Sequence, residues 1–270
     1  MTGGRPYGIR GVLIRACALI FCGFLAAGAA SAQVPDGCNP LPPVPPNDFS
    51  APPNLDLIKR GVLYYRCTRY EADIAAVLHE AKEWVAQRAP QVTQPAIVLD
   101  IDETSLSNWT RIYRDQFAYF ANGPCRLDQP GFCGDQQWQR NEEAPAIKPT
   151  LDLYKFARCL DVASPCRPVD VFFVTGRQES GEPIDGETPT QWTMENLNKV
   201  GYLGLSADHL YMRRKGFPGP VENFKMAART EIEQKFNVTI IANVGDQDSD
   251  LVGGHAERTF KVPNPFYFIP

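Results

Sequence analysis

Apolar and polar positions divide the chain into stretches of different period. From Leu57 to Ala89 no proline occurs, and Ile74, Val77, Leu78, Ala81 and Val85 recur at helical spacing. This predicts a helix with one apolar face, to which Tyr64 and Tyr65 belong as packing residues. Three short runs rich in β-branched or aromatic residues follow, at 96–101, 169–174 and 238–244, and each gives way to polar or glycine-containing sequence. They read as buried strands. Helix-like segments stand at about 149–160, 189–200 and 221–236. Strands alternating with helices predict an α/β domain whose parallel sheet is covered on both faces. In such sheets ligands sit beyond the carboxyl ends of the strands.

The segment from Glu103 to about Pro145 interrupts the alternation and is rich in aromatics. Trp109, Tyr113, Phe117 and Phe120 fall at offsets that predict one side of a helix. This region, about 103–145, reads as a small cap inserted in one domain spanning 55–270. Its aromatics either pack the cap or wall a pocket that stacks a substrate ring. Residues 33–53 hold eight prolines, so 33–54 reads as an extended lead-in. Before it, Arg5, Arg10 and Arg15 precede an apolar run from Ala16 to Ala29, and Ala30-Ser31-Ala32 offers small residues for cleavage. Residues 1–32 therefore read as a signal peptide, and the protein as periplasmic or secreted. No other stretch has the ~18 consecutive apolar residues of a spanning helix, so no membrane association is expected after cleavage.

Composition sharpens this picture. The whole chain carries a net charge of -4 and eight cysteines. The leader holds three arginines, no acids, Cys17 and Cys22, so its removal leaves a charge of -7 and six cysteines. That balance argues against a nucleic-acid polymer or an anionic membrane as partner. An even cysteine set in an exported chain reads as disulfides. The short loops favour Cys125 with Cys133 and Cys159 with Cys166, leaving Cys38 for Cys67. A zinc site is disfavoured because no CxxC pair exists and His79, His209 and His255 lie far apart, as surface or packing residues.

The chemistry concentrates after the predicted strands. Asp100-Ile101-Asp102-Glu103-Thr104 follows the first, Thr175-Gly176-Arg177 the second, and Gly245-Asp246-Gln247-Asp248-Ser249-Asp250 the third. Carboxylates at i and i+2 of an emerging strand share a side, and their repulsion asks for a cation. Oxygen-only donors favour magnesium over calcium. Thr175 and the Gly176 amide suit phosphate oxygens. An upstream lysine would balance the charge, and Lys225, in the helix entering the third strand, and Lys215 are the candidates. Arg177 reads as a salt-bridging residue that shapes its loop, and Asp248 as a solvated carboxylate.

The segments IVLDIDETSLSN, FFVTGR and NVGDQDSDL resemble motifs of the haloacid dehalogenase superfamily, in the acid-phosphatase branch that includes bacterial class C and plant acid phosphatases. The resemblance extends through LYYRCTRYEADIAAVLHEAKEW, WQRNEEAPAIKPTLDLY, ENFKMAARTEIEQKF and FKVPNPFYFIP. It implies a Rossmann-like three-layer fold with a central parallel sheet and a small cap. It implies that Asp100 attacks phosphorus and that Asp102 serves as acid and base. Thr175, Gly176 and Lys225, favoured over Lys215 by its family-like FKMAAR segment, would bind the phosphoryl group. Mg2+ would be held by the Asp100 carboxylate, the Asp102 main-chain carbonyl and the Asp246 carboxylate, with Asp250 in or near its outer sphere. The expectation is an exported, magnesium-dependent acid phosphatase acting on small phosphate monoesters. A phosphotransferase or narrow 5'-nucleotidase, or a non-catalytic binding or storage protein on the same fold, are the alternatives. Two sequons, at Asn108 and Asn237, would matter only in a eukaryotic secretory route.

Overall fold

Five strands form one parallel sheet: β1 (Pro95–Leu99), β2 (Asp170–Gln178), β3 (Leu210–Arg213), β4 (Thr239–Gly245) and β5 (Arg258–Lys261), in the order β3-β2-β1-β4-β5. The computed structural model describes residues 35–41, 54–160, 166–179 and 186–269, besides Met1. The expected leader, Met1 aside, and most of the proline-rich lead-in lie outside the described residues. Ile97, Leu99, Val171 and Phe173 face one core, while Ala96, Val98, Phe172 and Val174 face another. That two-residue alternation, with both sides apolar, is why these strands read as continuous hydrophobic runs.

Helices fill the two outer layers. α1 (Leu55–Thr68) and α2 (Tyr70–Arg88) precede the sheet, and α2 buries Tyr70, Ile74, Leu78, Ala81 and Val85. α5 (Lys148–Ala157) packs beside α2, and α6 (Pro189–Lys199) adds Leu197 to the same core. α7 (Val221–Phe236) covers the opposite face with Phe224, Ala228 and Ile232, spaced four apart. α8 (Asp248–Leu251) is one short turn after β4.

Several sequence expectations are corrected. The single helix expected over 57–89 is two, because Arg69 leaves the helical region at φ -128°. The sheet has two more strands than the three hydrophobic runs. β3 and β5 have four residues each and lie at the edges, and their sequences LYMR and RTFK mix apolar with polar or charged residues. Thr175, Gly176 and Arg177 do not follow β2 but lie in its last turn of pairing, where the register with β3 shifts. The lead-in is also not wholly outside the fold. The Cys38–Cys67 disulfide ties residues 35–41 to α1, and Trp109 Nε1 donates to the Asp36 carbonyl at 2.9 Å.

The interruption after β1 contains α3 (Trp109–Arg114) and α4 (Asp135–Asn141). Its two ends meet: Leu106 pairs with Ala146, and the Ser107 amide donates to Pro145 O at 2.9 Å. The aromatic stripe expected here is not one helical face. α3 stops at Arg114, and Phe117 has φ 67°. Trp109 stacks on Tyr113, whereas Phe120 turns to Phe132, with ring centroids 4.6 Å apart. Cysteines pair as Cys38–Cys67, Cys125–Cys133 and Cys159–Cys166, as the loop lengths suggested.

Candidate active site

Strand ends deliver the site. Asp100 follows β1 directly, its amide donating to Val244 O of β4 at 2.9 Å, and Asp246 follows β4. The loop after Asp100 is wound tightly: the Ile101 carbonyl accepts from the amides of Thr104, Ser105 and Leu106, and Glu103 takes φ 55°. Ser105 Oγ donates to the Asp100 carbonyl at 2.6 Å, while Thr150 Oγ1 and Tyr202 OH donate to the carbonyls of Thr104 and Ser105. A loop so fully bonded presents its side chains without further ordering cost.

Asp100, Asp246 and Asp250 are all buried, and one carboxylate oxygen of each lies within 4.8 Å of the others. Lys225, carried by α7, donates to Asp100 Oδ1 at 2.6 Å and to Asp250 Oδ1. Lys215 is exposed and stands outside this group. Burial pushes the Asp100 carboxyl well above the usual carboxylate range; the Lys225 ammonium opposes this, while Asp250 and Asp246 add to it. Burial and then Asp250 raise Asp246 to about 6, although Asn264 and Gln247 donate to its carboxylate. Burial works against the Lys225 charge, but Asp100 and Asp250 outweigh it and push that pKa up. One ammonium thus faces three carboxylates, and a divalent cation suits what remains. Ser249 Oγ is buried beside them with no partner of its own.

Asp102 does not crowd Asp100 in the way an i, i+2 pair on a regular strand would. β1 ends at Leu99, and the Asp102 carboxylate is gripped by Arg177: Nη2 reaches Oδ1 at 2.7 Å and Nε reaches Oδ2 at 3.0 Å. Burial alone would raise this carboxyl, but Arg177 overcomes it and, with Asn108, holds it below the ordinary range. Arg177 is therefore a salt-bridging residue, and its partner is the expected acid and base. Thr175 Oγ1 accepts from the Arg177 amide at 3.2 Å.

These groups line a cleft of about 500 Å3 at the carboxyl ends of the strands. Asp100, Asp102, Thr175, Gly176, Lys225 and Asp246 all contribute to its wall. Asp250 lies behind them, held by Lys225 and by the Gln247 amide at 2.8 Å. Asp248 points away to Lys261 on the surface. The cap contributes Phe117, Tyr119 and Asp135, while Trp109 packs on Phe266 rather than lining the cleft.

Sequence reasoning missed Asn108, Glu103 and Tyr267 as parts of the site. Asn108 Nδ2 donates to Asp102 Oδ1 at 2.8 Å, and Tyr267 OH donates to Glu103 Oε2 at 2.7 Å. Burial, then the Asp102 charge, raises Glu103 to about 7. Asn108 stood in the quoted LSN and Tyr267 in the FYFIP tail, but neither spacing nor charge distinguished them. As a sequon, Asn108 is closed to a glycan in the folded state, because it is 2 % exposed and its amide nitrogen is bonded to two carboxylates. His209 stacks on Phe172, and His255 pairs with Glu233 on the surface.

Comparison with known proteins bears on this arrangement. Residues 54–270 match the family described as HAD superfamily, subfamily IIIB (Acid phosphatase). Acid phosphatase 1 of Solanum lycopersicum is 29% identical over 173 residues, covering 64% of this chain and 58% of that protein. The chain thus spans less than two thirds of the tomato protein. Stem 28 kDa glycoprotein of Glycine max is 28% identical over 211 residues, 76% of this chain and 72% of its own. Vegetative storage protein 1 of Arabidopsis thaliana is 26% identical over 174 residues, 64% and 55%. Among solved structures, the class C acid phosphatase from Bacillus anthracis superposes with a TM-score of 0.57 at 19% identity, over 79% of this chain and 85% of that one. At that identity the likeness is one of fold.

Proposed function

The chain belongs to the HAD superfamily, subfamily IIIB (acid phosphatase), and on that premise we propose that it is an exported, magnesium-dependent phosphomonoesterase working through an aspartyl-phosphate at Asp100. The observation that carries this reading is the meeting of Asp100, Asp246 and Asp250 around Lys225 in a cleft that also holds Asp102 and Thr175.

The donor set fits a hard divalent ion, since it consists of buried carboxylates whose charge one ammonium does not offset. Magnesium would be held by the Asp100 and Asp246 carboxylates and the Asp102 carbonyl, with Asp250 beside them; when bound it supplies positive charge that offsets repulsion between nucleophile and phosphate dianion. The protein's own groups perform the transfer. An Asp100 carboxylate oxygen attacks phosphorus, and its new P–O bond forms as the bond to the leaving alcohol breaks. Asp102, whose protonation Arg177 opposes in the free protein, takes up a proton from solvent with substrate in place and gives it to the leaving oxygen, then takes one from the water that hydrolyses the aspartyl-phosphate. The Thr175 hydroxyl, the Gly176 amide and Lys225 hold the phosphoryl oxygens, and Thr175 is fixed by its place in β2.

The domain plan that accompanies this reading is a cleaved leader at 1–32, a lead-in at 33–54 and one catalytic domain at 55–270 with a cap at about 103–145. Three disulfides support an oxidising compartment, periplasmic or extracellular, and a glycoprotein name among the relatives agrees. Among the described residues no helix is long and apolar enough to cross a membrane. The substrate class is a small phosphate monoester. Storage-protein names among the relatives keep the non-catalytic reading in play, but Asp100 and Asp102, on which turnover would depend, are both present. Turnover of a chromogenic phosphate ester with magnesium, lost on chelation and in Asp100→Asn, is the expected result. Binding without turnover would favour the storage reading, and full activity in Asp100→Asn would contradict the mechanism.

A further inference from the structure

Every hydrogen-bonding atom of the Asn108 side chain is committed. Its amide nitrogen donates to Asp102 Oδ1 at 2.8 Å and to Glu103 Oε2 at 3.1 Å, and its amide oxygen accepts from Trp138 Nε1 at 2.7 Å. Its main-chain N–H donates to Glu103 Oε1 at 2.6 Å. An indole N–H can only donate. The Asn108 oxygen must therefore face Trp138, which turns the NH2 toward the two carboxylates. A flipped amide would set nitrogen against the indole donor and oxygen against both carboxylates, losing all three bonds.

The consequence falls on Asp102. Its Oδ1 accepts from Asn108, from Arg177 Nη2 and, at 3.1 Å, from Arg177 Nε, whereas Oδ2 has that same Nε as its one partner. The carboxyl cannot rotate without breaking the Asn108 bond, and Oδ2 is the oxygen that fewer donors hold. Trp138 is fully buried and sits on α4 in the cap, while Asp102 belongs to the loop after β1. The bond through Asn108 thus links the seating of the cap to the aim of the acid.

We propose that Asn108, locked in orientation by Trp138, is a positioning residue that aims the Asp102 carboxyl at the leaving oxygen, so that the cap controls proton donation. This rests on the role given to Asp102 above. Aryl phosphates with acidic leaving groups need little proton donation, whereas alkyl phosphates depend on it. The probes are p-nitrophenyl phosphate and glycerol 2-phosphate, assayed for kcat and KM with wild type, Asn108→Ala, Trp138→Phe and Asp102→Ala. Trp138→Phe keeps most of the buried ring and deletes only the N–H, so it remains informative if Asn108→Ala folds poorly.

Both variants are expected to lose about 10- to 100-fold more kcat on the alkyl than on the aryl ester, within the range one general acid contributes. KM should change little, and adding Asn108→Ala to Asp102→Ala should cost nothing further on the alkyl ester, since the two act as one unit. Equal losses on both esters, or none, would overturn the positioning role while leaving the phosphatase reading intact. Wild-type protein that hydrolyses neither ester would overturn both.

Discussion

Gly245 shows how tightly the residues of the site constrain one another. A Cβ added there would lie 2.3 Å from Asp250 Cβ, so the side chain that shares Lys225 with Asp100 would have to move. Gly245→Ala is expected to lower kcat at least 10-fold with the fold retained, measured by ester hydrolysis beside circular dichroism. Lys225 is the counter-charge to two buried carboxylates, and its removal leaves them unpaired. Lys225→Met should destabilise the protein by about 3–5 kcal/mol without added metal, and magnesium should recover part of the loss in urea titrations. At this scale the carboxylates were legible because charge clustered where strands end, and Arg177 because a cation stood beside them. Asn108, Glu103 and Tyr267 were not, because their roles come from specific bonds, such as the one between Glu103 and the distant Tyr267, which no local spacing announces.

The elements that could be read from sequence were those whose pattern is long or uniformly apolar. β1, β2 and β4 are buried on both faces and stood out as hydrophobic runs, and α7 repeats its apolar residues every four. β3 and β5 owe their existence to hydrogen bonds offered by β2 and β4, and four mixed residues carry too little signal of their own. The cap misled for a related reason: spacing put Trp109, Tyr113, Phe117 and Phe120 on one helix, but the chain leaves helical geometry after Arg114. Cysteine order did predict the pairing. The Cys38–Cys67 link closes a separation of 29 residues and seats residues 35–41 over Trp109 and Tyr113. By the loop-closure model its removal costs about 3.5 kcal/mol. Replacing both cysteines with serine should lower the melting temperature clearly, and an unchanged transition would contradict a seated segment.

At the scale of the molecule, net acidity has a local meaning. Part of the negative charge that argued against nucleic acid sits in the buried group of Asp100, Asp246 and Asp250. A cation that binds the folded site and not the unfolded chain stabilises the fold by mass action. The melting temperature is therefore expected to rise with magnesium concentration and to fall back with excess chelator, and this response should vanish in Asp246→Asn. The carboxylates that could hold such an ion lie at the carboxyl ends of β1 and β4, beside the cleft. The proposed chemistry requires that Asp100 become covalently phosphorylated during turnover. Its most direct test is acid quenching of the magnesium-loaded enzyme while it hydrolyses an aryl phosphate, followed by peptide mass spectrometry. A phosphoryl adduct on Asp100, absent in Asp100→Asn, is the predicted result; steady turnover with Asp100 unmodified, or an adduct on another residue, would contradict it.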